Sequence, residues 1–175
     1  MSEDGKSPIA FYGTPGLTLF ADTAIGEGGG AHTAQERAFV VVGATLYELA
    51  SDGTETSRGT LSSASGVVSM ADNGVDLLIV DGTDGYKFTL ATNTFAVIVD
   101  VDFPAANRVS FDDGYFILND AGTGKFWVTS LYSTDVDPLD FATAEGAPDP
   151  IVSLIVDHRE LWLFEIGRAS CRERV

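Results

Sequence analysis

The sequence predicts an all-β chain folded as a partial β-propeller of about three and a half four-stranded blades. Three observations support this. A triplet recurs as Val68-Ser69-Met70, Val109-Ser110-Phe111 and Val152-Ser153-Leu154, at spacings of 41 and 43 residues. Each copy is followed by a polar turn and then an apolar run: Leu77 to Val80, Tyr115 to Leu118 and Leu161 to Phe164. No window sustains a 3.6-residue apolar period, so little helix is expected. A period of about 40–45 residues with four short strands per unit is the signature of a propeller blade. One four-stranded sheet cannot bury both of its faces and needs a neighbour on each side.

The repeat assigns the strands in order. The first blade is expected at 16–21, 37–43, 45–50 and 57–61, and the second at 66–71, 76–81, 85–90 and 94–99. The third takes 108–112, 114–119, 125–131 and 138–142. A fourth begins with 151–156 and 160–164. β-Branched and aromatic runs such as Phe39 to Val42 and Phe95 to Val99 suit strands. The second strand of each unit is apolar on both sides, as a strand between two blades should be. The pairs Asp52-Gly53, Asn73-Gly74, Asp81-Gly82, Asp84-Gly85 and Asp113-Gly114 tolerate the positive φ of tight turns. Two segments read as loops: Asp22 to Glu36, with Gly26 and the Gly28-Gly29-Gly30 run, and Ala142 to Pro150, stiffened by Pro148 and Pro150.

Residues 1–9 are polar and read as a disordered start, leaving 10–164 as the partial propeller domain. Glu165 to Val175 reads EIGRASCRERV. Codons that spell it follow a common sequencing adapter and run into a stop, so 165–175 is expected to be an adapter-derived artefact tail, outside the fold. The chain is accordingly expected to be a fragment cut at both ends. Three blades and part of a fourth leave two sheet faces open, which invites association.

The chain has 175 residues, 45% hydrophobic, enough for one domain with a sizeable core. No apolar run approaches the ~18 residues of a membrane span, so no membrane partner is expected. The single thiol, Cys171, supports neither a disulfide framework nor a cysteine zinc site. A formal charge of −16, scattered along the chain, opposes nucleic-acid binding, which needs Lys and Arg to displace counterions.

No motif for chemistry is complete. Gly5-Lys6-Ser7 lacks the earlier glycine and the preceding strand of a phosphate loop. Gly122-Thr123-Gly124-Lys125 continues into Phe126 where Ser or Thr should meet magnesium. The glycines at 26–30 have no following helix to offer an anion site. His32 and His158 lie far apart, and His158 sits between two expected strands as a turn residue; neither suggests a metal site or a Ser-His-Asp triad. The pairs Asp81/Asp84, Asp100/Asp102 and Asp112/Asp113 could supply acid–base carboxylates, or a calcium site near Asp81 to Asp84. Asp beside Gly is far more often a turn former. Tyr86, Phe88, Phe126, Trp127, Trp162 and Phe164 suit packing between blades, with a sugar- or protein-binding platform as the alternative. No catalytic, cofactor-binding or metal residue is nominated, and no cofactor.

Several stretches together carry a family resemblance: YGTPGLTLFADT (12–23), VSMADNG (68–74), DFP (102–104), GYFI (114–117), AGTGKF (121–126) and DPLDFATAEGAPDPIVSLIVDHRELWLF (137–164). They resemble the packaged-DNA stabilisation protein of short-tailed phages, also called the tail accessory factor or tail hub. The resemblance implies a non-enzymatic virion protein, assembled in the host cytoplasm, that attaches below the portal after packaging, closes the head, retains DNA and supports tail assembly. The partners it implies are portal or adaptor proteins, other tail proteins, and further copies in a ring homo-oligomer, with no sequence-specific nucleic acid. A carbohydrate-binding or glycosidase-type propeller is the alternative, resting on the aromatics and scattered aspartates. The candidate contact regions are the loops at 22–36 and 142–150.

Overall fold

The computed structural model describes residues 16–23, 26–144, 149–165 and 168–172. Among these there is no helix, and fifteen strands form four antiparallel sheets. The first sheet is β1 (Gly28–Ala34), β2 (Arg37–Val42), β3 (Thr45–Leu49) and β4 (Glu55–Thr60), side by side in that order. The second is β5 (Ser69–Asp72), β6 (Asp76–Val80), β7 (Gly85–Thr89) and β8 (Thr94–Val97). The third is β9 (Val109–Asp112), β10 (Tyr115–Asn119), β11 (Lys125–Thr129) and β12 (Val136–Thr143). The fourth is β13 (Ile151–Asp157), β14 (Glu160–Glu165) and β15 (Arg168–Arg172). Each sheet is a meander, and β1, β5, β9 and β13 pack successively against one another as the inner strands. This is the partial propeller that the repeat predicts.

The second strands bury both faces because both have a blade to meet. In β6, Leu77 and Ile79 turn back into a core shared with the first blade, with Phe39, Val41, Leu46, Tyr86 and Phe88. Leu78 and Val80 turn forward into a core shared with the third blade, with Val109, Phe116 and Leu118. In β10, Ile117 turns forward to meet Ile151, Leu154, Leu161 and Leu163 of the fourth blade. The cores therefore lie between sheets, and no blade is packed alone.

Two expected features are placed differently. The first strand lies at Gly28–Ala34, not at 16–21; residues 16–23 have no regular structure. The segment expected as a loop at 22–36 thus contains the innermost strand of the first blade. Its glycines are there for close approach. A Cβ on Gly30 would stand 2.2 Å from the carbonyl oxygen of Val68 in the next blade. The Val68 amide also donates to the Gly29 carbonyl at 2.9 Å. Only a bare backbone fits between these strands.

The backbone at Arg168–Arg172, within the tail expected from its codons to be adapter-derived and outside the fold, pairs with β14 in register from Leu161↔Arg172 to Glu165↔Arg168. In the second region expected as a loop, β12 runs on to Thr143 and Ala144 is buried. Residues 145–148, and the start at 1–9 with Gly5-Lys6-Ser7, lie outside the described residues.

Candidate functional site

Inner strands of neighbouring blades are tied together by polar contacts one repeat apart. His32 Nε2 on β1 lies 2.7 Å from Asp72 Oδ1 on β5, and Gln35 Nε2 donates to the Gly74 carbonyl. The Val109 amide donates to Ser69 Oγ at 3.1 Å, so a serine of the recurring triplet fastens its blade to the next. Asn119, fully buried in β10, accepts from the amides of Asn107 (3.0 Å) and Arg108 (2.8 Å) and donates to Asn107 Oδ1 (2.9 Å).

The densest polar cluster centres on Arg37, at the start of β2. Its Nε and Nη2 donate to the two carboxylate oxygens of Glu48, at 2.8 and 2.7 Å. Nη1 donates to the Leu90 carbonyl and Nη2 to Asn93 Oδ1 in the second blade. The guanidinium lies over the rings of Phe39 and Phe88. Arg58 Nε donates to Glu48 Oε2 at 2.7 Å. The hydrogen bond from Arg37 is the first reason that the Glu48 carboxyl is held below its ordinary range. This is an inter-blade clamp, in which each nitrogen of the Arg37 guanidinium donates to a protein group. The sequence reading missed it, since its only local signal is a lone arginine opening an apolar strand.

Of the aspartates proposed as carboxylate pairs, Asp81 and Asp100 serve the backbone. Asp81 Oδ1 accepts from the amides of Thr83 (3.0 Å) and Asp84 (2.8 Å), and Oδ2 from the Tyr86 hydroxyl (3.0 Å). Asp84 Oδ2 accepts from Ser62 Oγ. Burial is the main reason that the Tyr86 hydroxyl is pushed above its ordinary pKa. Asp100 Oδ1 accepts from the amide of Asp102 (3.0 Å), closing a turn. Asp113, at φ 44°, and Gly114, at φ 97°, form the β9–β10 hairpin turn, and Asp113 pairs with Arg159 at 3.6 Å. Among the described residues, no group of three or more His, Cys, Asp or Glu could hold a metal ion. His158 and Arg159, at φ 52° and 65°, are the β13–β14 turn. His158 Nδ1 lies 2.8 Å from Asp157 Oδ1, which raises its pKa. Asp84-Gly85 is not a turn of the expected kind. Gly85 opens β7, where a Cβ would stand 2.3 Å from the Phe103 ring.

The six aromatics divide. Tyr86, Phe88 and Phe126 are buried between blades and Trp127 packs against the same cores. Phe164, by contrast, lies on the open face of the fourth blade and Trp162 is only half-buried there. Elsewhere exposed apolar side chains mark the rims: Val99 and Val101 beyond β8, and Leu139 on β12. Broad apolar faces and rims, with polar groups committed to turns and clamps, are what this scaffold offers a partner.

Comparison with solved structures confirms the architecture. The chain superposes on BamB from Moraxella catarrhalis with a TM-score of 0.60 at 13% identity, covering 82% of this chain and 41% of that one. It superposes on the computationally designed Ika4 protein at 0.68 and 9% identity, covering 92% and 100%. For virginiamycin B lyase from Staphylococcus aureus the values are 0.62, 12%, 79% and 48%. The chain thus spans less than half the length of BamB and of the lyase. At these identities the likeness is one of fold. No curated protein matches the sequence. The profile of the family described as "Bacteriophage P22 Gp10, beta-propeller" matches residues 1–171, across all four sheets. A scaffold whose polar groups serve its own turns and blade contacts accords with a structural role, and the chain belongs to this family of phage packaged-DNA stabilisation proteins, structural components of the virion.

Proposed function

We propose that the protein attaches below the portal after DNA packaging, closes the head, retains the genome and supports assembly of the tail. The family match across residues 1–171 carries this reading. The polar groups support it: Asp81 and Asp100 are occupied with turns, Asp84 with the Ser62 hydroxyl, and Arg37 and Glu48 with holding blades together. Its partners on this reading are portal or adaptor proteins, tail proteins and further copies in a ring, within virions assembled in the host cytoplasm. The charge of −16 repels phosphate backbones, so retention is mechanical closure and not coating of the DNA. The rims at Val99, Val101 and Leu139 and the region 142–150 are the contact candidates.

Deletion of the intact gene should give particles that package DNA, then lose it, and lack tails. Adding purified full-length protein should restore retention. Mutant particles that keep their genome and infect would overturn the reading. So would glycan hydrolysis by the protein that a single Asp substitution abolishes.

A further inference from the structure

The outer strand of a blade ends its sheet with one edge unpaired, and proteins keep such edges from wrong pairing with charges, proline or bulges. The outer strands of the first and third blades carry these guards: β4 has Glu55 and Arg58, and β12 has Asp137, Pro138 and Asp140. The outer strand of the second blade has none. From Phe95 to Val99 the chain reads FAVIV, with neither charge nor proline, and β8 is the last strand of its sheet. Val97 is 48% exposed, and Val99 and Val101 are 95% exposed.

The register shows what this edge offers. The Ile98 amide donates to the Gly85 carbonyl at 2.8 Å, so Ile98 faces inward to β7. That direction alternates along an antiparallel ladder, and Phe95 and Val97 therefore turn their amides and carbonyls outward. Beside them a groove of about 580 Å³ opens between the second and third blades. Ile98, Val99 and Val101 give it apolar walls, and its charged groups are Lys87, Asp100 and Asp135. Asp102, next to Val101, is exposed as well. The groove lies on the outer rim between two blades that are each flanked on both sides, so blades added at either end of the series do not reach it.

We propose that the edge of β8 receives, as an added strand, an extended segment of another protein in which apolar side chains alternate with lysine or arginine. The backbone of that segment pairs with Phe95 and Val97, and its apolar side chains cover Val97 and Val99. Its cations meet Asp100, Asp102 and Asp135, which outnumber Lys87 around the groove. A second copy of this chain is the poorer occupant. Laying β8 against β8 would bring those carboxylates face to face between chains of −16 each. The proposal gives a mode of binding to one of the rims offered above as contacts. In that choice of surface it rests on the functional reading, and the peptide assay below can fail while genome retention stands.

Fluorescence anisotropy with a short labelled peptide of alternating valine and lysine tests it. Saturable binding is expected, weakening as salt is added. A peptide with glutamate for each lysine should bind at least about tenfold more weakly, as should one with the same valines and lysines in separate blocks. Val97→Pro keeps the ladder to β7, because the Val97 amide points outward, but removes a donor that the incoming strand needs. It and Val97→Lys should each weaken binding by a similar factor, whereas Thr56→Lys on the guarded edge of β4 should bind as the unaltered chain does. Bound peptide should slow amide exchange at Phe95 and Val97. If Val97→Pro loses its β signal in circular dichroism, Val97→Lys and the exchange pattern decide. Equal binding of the glutamate peptide, protection at other amides with none at these two, or self-association through β8 without peptide would overturn the proposal.

Discussion

Arg37 grips Glu48 at two points across the first blade while its remaining nitrogen and the face of its guanidinium reach the second. The pair is therefore both an intra-blade and an inter-blade bond. Glu48→Gln keeps the shape and removes the charge, leaving Arg37 and Arg58 short of a carboxylate. Urea unfolding at neutral pH should show a loss of about 1–3 kcal/mol.

The same pair sets a direction with pH. Glu48 is held below its ordinary pKa in the folded chain, first by the Arg37 hydrogen bond. Its contribution is complete above the unfolded carboxyl pKa, about 4.3, and is lost as pH falls through the lower folded value. The stability gap between wild type and Glu48→Gln should therefore be widest near neutrality and shrink in acid. Denaturant midpoints taken at a series of pH values check this; a gap that stays constant into strong acid would contradict it.

Gly30→Ala should be costly although the residue is small. The new methyl would meet the Val68 carbonyl, a backbone atom that cannot rotate away. Parting β1 from β5 should cost about 1–3 kcal/mol. Gly28→Ala, where a Cβ meets nothing within 4 Å, is the control and should lie within about 0.5 kcal/mol of wild type. Thermal melts of the two variants give the comparison.

Asn119→Ala removes the acceptor for the Asn107 and Arg108 amides and the donor to Asn107 Oδ1. A loss of about 1–3 kcal/mol is expected, with faster amide exchange at Asn107 and Arg108. Unchanged exchange at those two amides would show that the side chain is dispensable.

His158 should titrate above an ordinary histidine, because the Asp157 carboxylate favours its charged form. Whatever stability this gives is present below the unfolded pKa and fades as pH rises through the folded one. Asp157→Asn should bring the titration back down, read from the imidazole proton shifts. Arg159→Gly at the positive-φ turn should stabilise by about 0.5–1 kcal/mol, since its ion pair with Asp113 is well exposed.

What could be read in the sequence was whatever is written locally. Leu77 to Val80 and Tyr115 to Leu118 announce strands buried on both sides, and the structure buries all of them but Tyr115, which is half-buried. Asn73-Gly74 and Asp113-Gly114 announce turns, and both glycines have positive φ. Gly28-Gly29-Gly30 misled because glycine signals freedom unless its neighbour is known, and that neighbour, Val68, is 38 residues beyond Gly30. Arg37 and Glu48 carry no short-range pattern, so their clamp becomes visible only when β2, β3 and the second blade are in place. Trp162 and Phe164 look like core in sequence, and among the described residues Trp162 is half-buried and Phe164 exposed.

The bonds between inner strands, His32 to Asp72 and Ser69 to Val109, each reach back 40 residues. Translation therefore delivers every new blade to a surface that already exists. At roughly 5–20 residues per second, a blade's worth of chain emerges every few seconds, far longer than a hairpin needs to form. Folding can keep pace with synthesis from the first blade onward, and the order of the blades in space is the order in which the ribosome makes them.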